Sequence, residues 1–288
     1  MGNATVDYAA LKKGGFMKQV QKDRFSLRLR VVGGQLTSAQ FEAIGKIASR
    51  FGKGYLHITS RQGVEIPFVP LDSVEEIKAE LAKADLQPGA CGPRLRTITA
   101  CQGNTICPSG LIETSKLAEE VDARYFGRQL PHKFKIGITG CVNNCLKAEE
   151  NDIGIKGALL PIYEQKSCTG CGLCEAVCPA KSIKVDDNKT LMFDEKSCIY
   201  CGKCVKSCPE DAWKGKNGYK VSFGGMLGNE IKTGVNLTPI IFDKEKLFKV
   251  IDAAIDYYSE NGKAGERFGK LLNKIGLERL REKLLKVI

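Results

Sequence analysis

Long hydrophobic runs are absent from this sequence. No apolar stretch approaches the ~18 residues that a membrane-spanning helix needs, and the opening stretch MGNATVDYAALKKGGF contains no hydrophobic signal core. We therefore expect a soluble, cytoplasmic protein with no membrane span.

Acidic residues are too few to balance the basic ones. The 288 residues include 33 Asp and Glu against 44 Lys and Arg, which gives a formal net charge of +11. The basic residues are spread along the whole chain and lack the aromatic interleaving of a groove for single-stranded nucleic acid, so we expect no nucleic-acid partner. A lysine-rich surface and the neutralisation of anionic cofactors or substrate remain as explanations of the charge.

Histidine is scarce, with 2 residues, whereas cysteine is abundant, with 13. The number of cysteines is odd, most of them fall into short regular spacings, and the chain is too long for a miniprotein held together by disulfides. These features favour iron–sulfur clusters. Zinc is the alternative for paired C-x2-C units.

The most specific pattern is a duplicated cysteine motif. Three cysteines at C-x2-C-x2-C spacing are followed by C-P at Cys178-Pro179, and the same run returns 30 residues later, ending at Cys208-Pro209. This is the bacterial ferredoxin signature, in which the fourth cysteine of each run serves the other cluster. The expected ligands of the first 4Fe-4S cluster are Cys168, Cys171, Cys174 and Cys208, and those of the second are Cys198, Cys201, Cys204 and Cys178.

Two further cysteine clamps lie upstream of the duplicated motif. They are Cys101-x5-Cys107 and Cys141-x3-Cys145, and they can close on one more 4Fe-4S cluster because cluster ligands need not follow the ferredoxin spacing. The segment 133–139 between them alternates as a strand does, which places the two lysines of HKFK on one face. Two neighbouring ammonium groups repel each other, so their pairing favours an anion between them.

Periodicity in the first third of the chain predicts an α+β unit. The elements expected there are a strand at 25–31, a helix that a Thr37–Gln40 capping box opens and that buries Phe41, strands at 55–59 and 64–69, and a helix from Asp72 or Ser73. The order strand, helix, strand, strand, helix is that of a ferredoxin-like fold. Further on, Pro108 suits the first turn of a helix, and residues 243–288 predict amphipathic helices.

Five stretches together resemble the sulfite and nitrite reductase family, which binds siroheme coupled to a 4Fe-4S cluster. They are RLRVVGGQLT, HITSRQGVEI, TACQGNTICPSGLIET, LPHKFKIGITGCVNNC and NDIGIKG. The layout is most similar to the catalytic subunits of anaerobic and dissimilatory-like sulfite reductases. The resemblance divides the chain into a ferredoxin-like N-terminal half-domain (1–88), a first part of the siroheme and 4Fe-4S domain (89–162), an inserted ferredoxin domain with two 4Fe-4S clusters (163–215), and the remainder of the siroheme domain with C-terminal helices (216–288).

The resemblance also implies roles for individual residues. Cys101, Cys107, Cys141 and Cys145 match the ligands of the cluster at the siroheme, and Cys145 matches the thiolate that bridges it to the siroheme iron. The cations that match those around bound sulfite are Arg61, Arg96, Lys133 and Lys135. Further siroheme contacts are expected from Arg28, Arg30, Gln62, Asn143 and Asn144, although a solvent-exposed face explains Arg28 and Arg30 equally well. The family commonly has Pro at Val142 and Gly at Leu146, and Cys91 matches no cluster motif.

The implied function is the six-electron reduction of sulfite to sulfide, with siroheme and three 4Fe-4S clusters as cofactors. The alternatives are the reduction of nitrite to ammonia and a non-catalytic electron-transfer subunit without siroheme. No flavin or nicotinamide fingerprint is convincing in the chain, so we expect a partner to provide the electrons. The resemblance implies a ferredoxin-like subunit and a flavin-containing, NADH-linked subunit, with free ferredoxin as the other possible donor. In two-repeat members of the resembled family the substrate cations and the cluster cysteines come from opposite halves of a pseudo-symmetric molecule, whereas one copy here carries both sets, so we expect a homo- or hetero-oligomer with shared active sites.

Overall fold

A computed structural model describes residues 6–288 of the chain. Within that range the strands are β1 (Phe16–Lys18), β2 (Arg24–Arg28), β3 (His57–Ile58), β4 (Val64–Pro70), β5 (Thr99–Ala100), β6 (Ile136–Thr139), β7 (Ile153–Tyr163), β8 (Ile183–Val185), β9 (Leu191–Phe193), β10 (Trp213–Phe223) and β11 (Val235–Asn236). The α-helices are α1 (Tyr8–Lys13), α2 (Ser38–Phe51), α3 (Val74–Lys83), α4 (Thr114–Tyr125), α5 (Leu173–Ala176), α6 (Lys203–Ser207), α7 (Lys244–Asn261), α8 (Phe268–Ile275) and α9 (Glu278–Leu285).

The N-terminal unit is an antiparallel sheet with helices packed on one side. Its strands follow the order β1-β2-β4-β3, and α2 and α3 share its apolar core. The predicted capping box is confirmed, because the Thr37 hydroxyl accepts the Gln40 N–H and the Gln40 side chain accepts the Thr37 N–H, each at 3.1 Å. The predicted burial of Phe41 is wrong: its side chain is 52% exposed.

The second unit is a mixed sheet with the strand order β11-β10-β7-β6-β5. Strands β5, β6 and β7 are parallel to one another, whereas β10 runs antiparallel to both β7 and β11. Helices α4, α7, α8 and α9 cover the sheet and bury one large apolar core. The tail is helical as predicted, with the core-facing residues Leu247, Val250, Ile251, Ala254 and Tyr258 fully buried.

The helix predicted to begin at Pro108 begins later, at Thr114. Residues 103–112 fold back on themselves instead: the Cys107 N–H bonds to the Gly103 carbonyl, and the Asn104 N–H bonds to the Ile112 carbonyl. Gly110 permits this turn, because a Cβ there would lie 2.4 Å from the Asn104 nitrogen. A proline suits a tight turn as well as a helix start, so the residue type alone did not separate the two.

Residues 164–212 form a small unit that is inserted between β7 and β10. The two flanking strands pair along their whole length, from Tyr163 opposite Trp213 to Ile153 opposite Phe223. The inserted unit contains the hairpin β8–β9 and the short helices α5 and α6. The long strand pair therefore carries the duplicated cysteine motif away from the main sheet.

Candidate active site and cluster sites

Five cationic side chains meet in one cavity. The cavity is open to solvent and has a volume of about 250 Å³. The cations in its wall are Arg28, Arg61, Arg96, Lys133 and Lys135. The fold gathers them because Arg61 lies in the turn between β3 and β4, whereas Arg96 and the two lysines directly precede the parallel strands β5 and β6. We call this group of five side chains the cation cavity.

Backbone and amide oxygens fix the two guanidinium groups that lie deepest in the cation cavity. Arg61 donates to the Asn151 side-chain oxygen at 2.8 Å and to the Thr97 carbonyl at 3.2 Å. Arg96 donates to the Gly92 carbonyl at 3.1 Å and to the Ala90 carbonyl. These acceptors are uncharged, so both guanidinium groups keep their full positive charge for an anion.

Burial among other cations weakens the hold of these groups on their protons. Burial lowers the pKa of Lys135 to about 8, the nearby Arg61 and Arg267 act in the same direction, and Asp152 opposes them. Burial likewise lowers the pKa of Arg61 to about 10 and lowers the pKa of Lys133. An anion in the cavity would stabilise the charged forms.

An ion pair beneath the cavity was not expected from the sequence. Asp152 is fully buried and accepts two hydrogen bonds of 3.1 Å from Arg267, which is remote in sequence. The same carboxylate accepts the backbone N–H of Lys135 at 2.9 Å. Asp152 lies in NDIGIKG, one of the stretches that carry the family resemblance, whereas nothing in the sequence pointed to Arg267.

The other residues predicted to contact siroheme have different surroundings. Arg28 lines the cation cavity and pairs with Glu65 at 2.6 Å. Arg30 instead pairs with Asp122 at 2.7 Å and stacks on Phe126, so it supports the contact between the two units.

Three more of the residues predicted to contact siroheme make hydrogen bonds close to the cation cavity or the upstream cysteines. The Gln62 side chain exchanges two hydrogen bonds, of 2.8 and 2.9 Å, with the backbone of Ala100. The Asn144 side chain accepts the Ala148 N–H at 2.9 Å and donates to Glu149 at 3.2 Å. The Asn143 N–H lies next to the Cys141 thiol and favours its ionised form.

The four upstream cysteines lie together at the other end of β5 and β6. Cys101 follows β5, and its sulfur accepts the Gly140 N–H at 3.0 Å. Cys141 follows β6, where burial raises the pKa of its thiol and the nearby Cys107, Cys101 and Cys145 sulfurs raise it further. Cys145 is exposed, so the cysteine that matches the bridging ligand can be reached from outside the chain.

One chain thus presents cations and thiols at opposite ends of one sheet. Strands β5 and β6 are parallel, with Thr99 opposite Gly137, so both run from the cations toward the cysteines. The extended segment from Lys135 to Cys141 spans roughly 20 Å at the usual rise of a strand. We call the end of the sheet where β5 and β6 begin the cation end, and the end where these strands stop the thiol end.

The inserted unit contains two cavities, each lined by four cysteines. The outer cavity has Cys168, Cys171, Cys174 and Cys208 in its wall. The inner cavity has Cys178, Cys198, Cys201 and Cys204. These two sets of cysteines are the ones predicted from the duplicated motif, in which the fourth cysteine of each run belongs to the other site. Within residues 6–288, no three His, Cys, Asp or Glu side chains meet closely enough to hold one metal ion, whereas each iron of a 4Fe-4S cluster takes its own thiolate.

The inner cavity is the one that adjoins the thiol end. Val205, next to the ligand Cys204, packs against an apolar cluster that includes Leu159 and Cys141. The Leu159 N–H bonds to the Tyr200 carbonyl at 2.9 Å, and the Lys206 ammonium donates to the Pro108 carbonyl, beside Cys107, at 2.7 Å. The outer cavity instead has an exposed cysteine, Cys171. The three cysteine sites therefore follow one another from the surface to the thiol end.

Hydrogen bonds distinguish Cys178 of the inner cavity. Burial alone would raise the pKa of its thiol, but the Ser182 hydroxyl and the N–H groups of Ser182, Ala180 and Ile183 outweigh burial, and the pKa is lowered. By contrast, burial raises the pKa of Cys204 to about 12.

No helix within residues 6–288 is long and apolar enough to cross a membrane.

Two family models match nearly the whole chain. The model described as the nitrite and sulphite reductase 4Fe-4S domain matches residues 91–287, and the nitrite/sulfite reductase ferredoxin-like half domain matches residues 17–84. The first match contains the cysteine sites and most of the cation cavity, and the second contains Arg28 and Arg61.

Curated relatives are similar over different shares of their length. Coenzyme F420-dependent sulfite reductase of Methanocaldococcus jannaschii is 33% identical over 99% of this chain, which spans 46% of that protein. An uncharacterized protein of the same organism is 31% identical over 96% of both chains. The nitrite reductase [NAD(P)H] large subunit of Klebsiella oxytoca is 34% identical over 49% of this chain and 15% of that protein. This chain therefore spans about half or less of the two relatives with a named activity.

A solved structure has a similar fold. Dissimilatory sulfite reductase I superposes with a TM-score of 0.75 at 22% identity, over 91% of this chain and 69% of that chain.

Proposed function

The chain belongs to the nitrite and sulphite reductase family, and from that premise we propose that it reduces sulfite to sulfide at a siroheme coupled to a 4Fe-4S cluster. The observation that carries this proposal is the cation cavity. Arg61, Arg96, Lys133 and Lys135 line one space together with Arg28, which suits a small, doubly charged oxyanion.

The cation cavity would bind sulfite by its oxygens. Guanidinium and ammonium groups held beforehand at the oxygens stabilise negative charge that develops there without any reorganisation of the site. The fixed hydrogen bonds of Arg61 and Arg96 supply that preorganisation. An anion bound in this way by its oxygens would keep its sulfur free to face the cofactor.

The donor groups of the chain fit the implied cofactors. Four cysteines gather at the thiol end and four line each cavity of the inserted unit, which matches three 4Fe-4S clusters of four thiolates each. The exposed Cys145 would bridge to the siroheme iron, and Arg28 would bind siroheme carboxylates. When bound, siroheme supplies the iron at which the sulfur of sulfite accepts electrons.

Lysine ammonium groups would supply protons as each oxygen leaves as water. A proton donor works best when its pKa lies near the working pH, and the pKa of Lys135 is about 8. Lys133 lies beside it in the same wall. Arg61 and Arg96 would remain charged throughout and keep the anion in place.

Electrons would enter through the inserted unit. A ferredoxin-like or flavin-containing, NADH-linked partner subunit, or free ferredoxin, would deliver them at the outer cavity, where Cys171 is exposed. The inner cavity would pass them to the thiol end across the contact of Val205 with Leu159 and Cys141.

Two chains would share each active site. The cation end and the thiol end of one chain lie too far apart to act on one small anion, so the cations of one chain would face the Cys145 of another. A two-fold axis generates two such sites in a dimer of identical or paralogous chains.

Anaerobic purification tests the proposal. We expect siroheme absorption bands, about thirteen irons per chain, of which about twelve are in clusters, and turnover of sulfite to sulfide with a reduced electron donor. A protein with about twelve irons but without siroheme bands would instead be a non-catalytic electron-transfer subunit and would contradict the proposal.

Nitrite reduction to ammonia is the second candidate, since this chain is also similar to a nitrite reductase large subunit. The same four cations accept either anion. Competition kinetics with both anions would decide between them, and a much higher specificity constant for nitrite would replace sulfite as the substrate.

A further inference from the structure

The two cavities of the inserted unit differ in the hydrogen bonds that reach their cysteines. The motif repeats after 30 residues, so Cys178 of the inner cavity corresponds to Cys208 of the outer cavity, and Ser182 corresponds to Ala212. Each of these four residues lines its own cavity. The duplication therefore provides an internal comparison in which one side-chain hydroxyl is present on one side and missing on the other.

Ser182 places two donors on the Cys178 sulfur. Its hydroxyl oxygen lies 3.2 Å from the sulfur and its backbone nitrogen 3.4 Å from it. The residue is only 4% exposed, so water does not compete for the hydroxyl. A thiolate that ligates iron carries no proton, so the hydroxyl must be the donor and the sulfur the acceptor.

Ala212 offers no such donor in the outer cavity. It is 1% exposed and lines the cavity beside Cys208. Other side chains approach the outer cysteines: the Trp213 indole lies beside the Cys174 sulfur and the Tyr163 hydroxyl beside the Cys168 sulfur. The 3.2 Å contact between the Ser182 hydroxyl and Cys178 nevertheless has no counterpart at Cys208.

Hydrogen bonds to cluster sulfurs are one of the determinants of cluster reduction potential. An added electron increases the negative charge on the sulfurs, and a donor hydrogen bond becomes stronger as its acceptor becomes more negative. A hydroxyl on Cys178 therefore favours the reduced state of the inner site.

We propose that Ser182 raises the reduction potential of the inner cluster and so favours the transfer of electrons from the outer site to the inner one. This inference rests on the proposed function, because it requires loaded clusters. One electron leaves the outer site, which is oxidised, and reduces the inner site, while no proton moves and no covalent bond changes. A low-potential one-electron carrier protein then re-reduces the outer site.

Redox titration of the anaerobically purified holoprotein, followed by electron paramagnetic resonance, tests the proposal with two matched variants. In Ser182→Ala one of the two ferredoxin-type potentials falls and the other stays unchanged, and in Ala212→Ser this other potential rises. Each change alters the equilibrium constant for electron transfer between the two sites by up to about tenfold, or about 59 mV for a one-electron couple. The cluster at the siroheme is the internal reference, because neither substitution touches it.

Two results would overturn the proposal. One is that Ser182→Ala leaves both potentials unchanged, and the other is that Ser182→Ala and Ala212→Ser shift the same potential. Iron content and the visible spectrum report separately on the proposed function. A protein without siroheme bands whose two potentials respond as expected would refute sulfite reduction and retain the role of Ser182, whereas a protein without ferredoxin-type clusters would refute both.

Discussion

Lys135 combines three properties that an anion-binding residue needs. Its side chain lines the cation cavity, its backbone N–H is held by the buried Asp152 at 2.9 Å, and burial lowers its pKa to about 8. The first property gives contact with the substrate, the second gives position, and the third gives a proton that can be released near neutral pH.

Replacing Lys135 with Ala should reduce sulfite turnover by about 10²- to 10³-fold, the usual loss when one preorganised donor is removed from a site of developing charge. Iron and siroheme content should stay at the wild-type level, because no cysteine changes. Lys249→Ala, at an exposed position of α7, is the matched control and should retain full turnover. Loss of iron from the Lys135 variant would show that the lysine acts on cofactor binding instead.

The pH dependence of sulfite reduction should follow the protonation of Lys135. Its ammonium form prevails below its pKa of about 8 and is lost as the pH rises through that value, so kcat/KM for sulfite should fall on the alkaline side. Lys135→Arg should remove this alkaline decline, because a guanidinium group stays charged. An identical profile for the wild type and the Arg variant would assign the decline to another group.

The Asp152–Arg267 pair should be a major source of stability beneath the cavity. Asp152→Asn leaves the buried Arg267 without its counter-charge, which typically costs about 3–5 kcal/mol in the free energy of unfolding. The exposed pair of Arg50 and Glu76 is the comparison, and Arg50→Ala should cost at most about 1 kcal/mol. Denaturant titration of both variants measures the difference, and a smaller loss for Asp152→Asn than for Arg50→Ala would contradict this role.

At the scale of elements, β7 links the three cysteine sites. It pairs with β6 beside the upstream cysteines, continues past the thiol end, and then leads into the inserted unit. Gly157 lies where β7 passes the Cys141 loop, and a Cβ there would come within 2.2 Å of the Gly140 carbonyl oxygen.

Gly157→Ala should therefore push β7 and the Cys141 loop apart, at a cost of about 1–3 kcal/mol. We expect iron to fall by roughly one 4Fe-4S cluster while the two ferredoxin-type clusters remain. Gly228→Ala is the control, since nothing lies within 4 Å of a Cβ at that position, and it should keep all its iron. Full iron content in the Gly157 variant would mean that the loop tolerates the displacement.

Local sequence signals predicted elements well where the local interaction and the packing agree. The Thr37 capping box is confirmed, and so is the helix expected from Asp72 or Ser73, which begins at Val74. The prediction of a helix start at Pro108 is wrong because the loop around Cys101 and Cys107 requires a turn there. The exposure of Phe41 could not be predicted from helical periodicity. Periodicity shows which residues share the apolar face of a helix, but it does not show which of them lie at the margin of that face, beyond the contact with the sheet.

At the scale of the whole molecule, shared active sites predict complementation between inactive variants. Lys135→Ala and Cys145→Ser chains should each be inactive as dimers. In a mixed dimer, one site combines the intact cations of one chain with the intact cysteines of the other, so a one-to-one mixture should regain about a quarter of the wild-type activity. Size-exclusion chromatography should show a dimer or larger assembly. No recovery on mixing, or full activity of a monomer, would contradict shared sites.

The sequence by itself determined the family resemblance, which is confirmed. It also determined which cysteines of the duplicated motif are expected to belong to the same cluster, because both inferences depend only on short motifs along the chain. The resemblance implied that Arg61, Arg96, Lys133 and Lys135 surround one anion. Only the tertiary structure showed the cavity that they line together with Arg28, and the pair of Asp152 and Arg267 beneath it. It also determined that the cation end and the thiol end of one chain face apart. Such relations depend on parallel strands and on contacts between residues far apart in sequence, which no local pattern encodes.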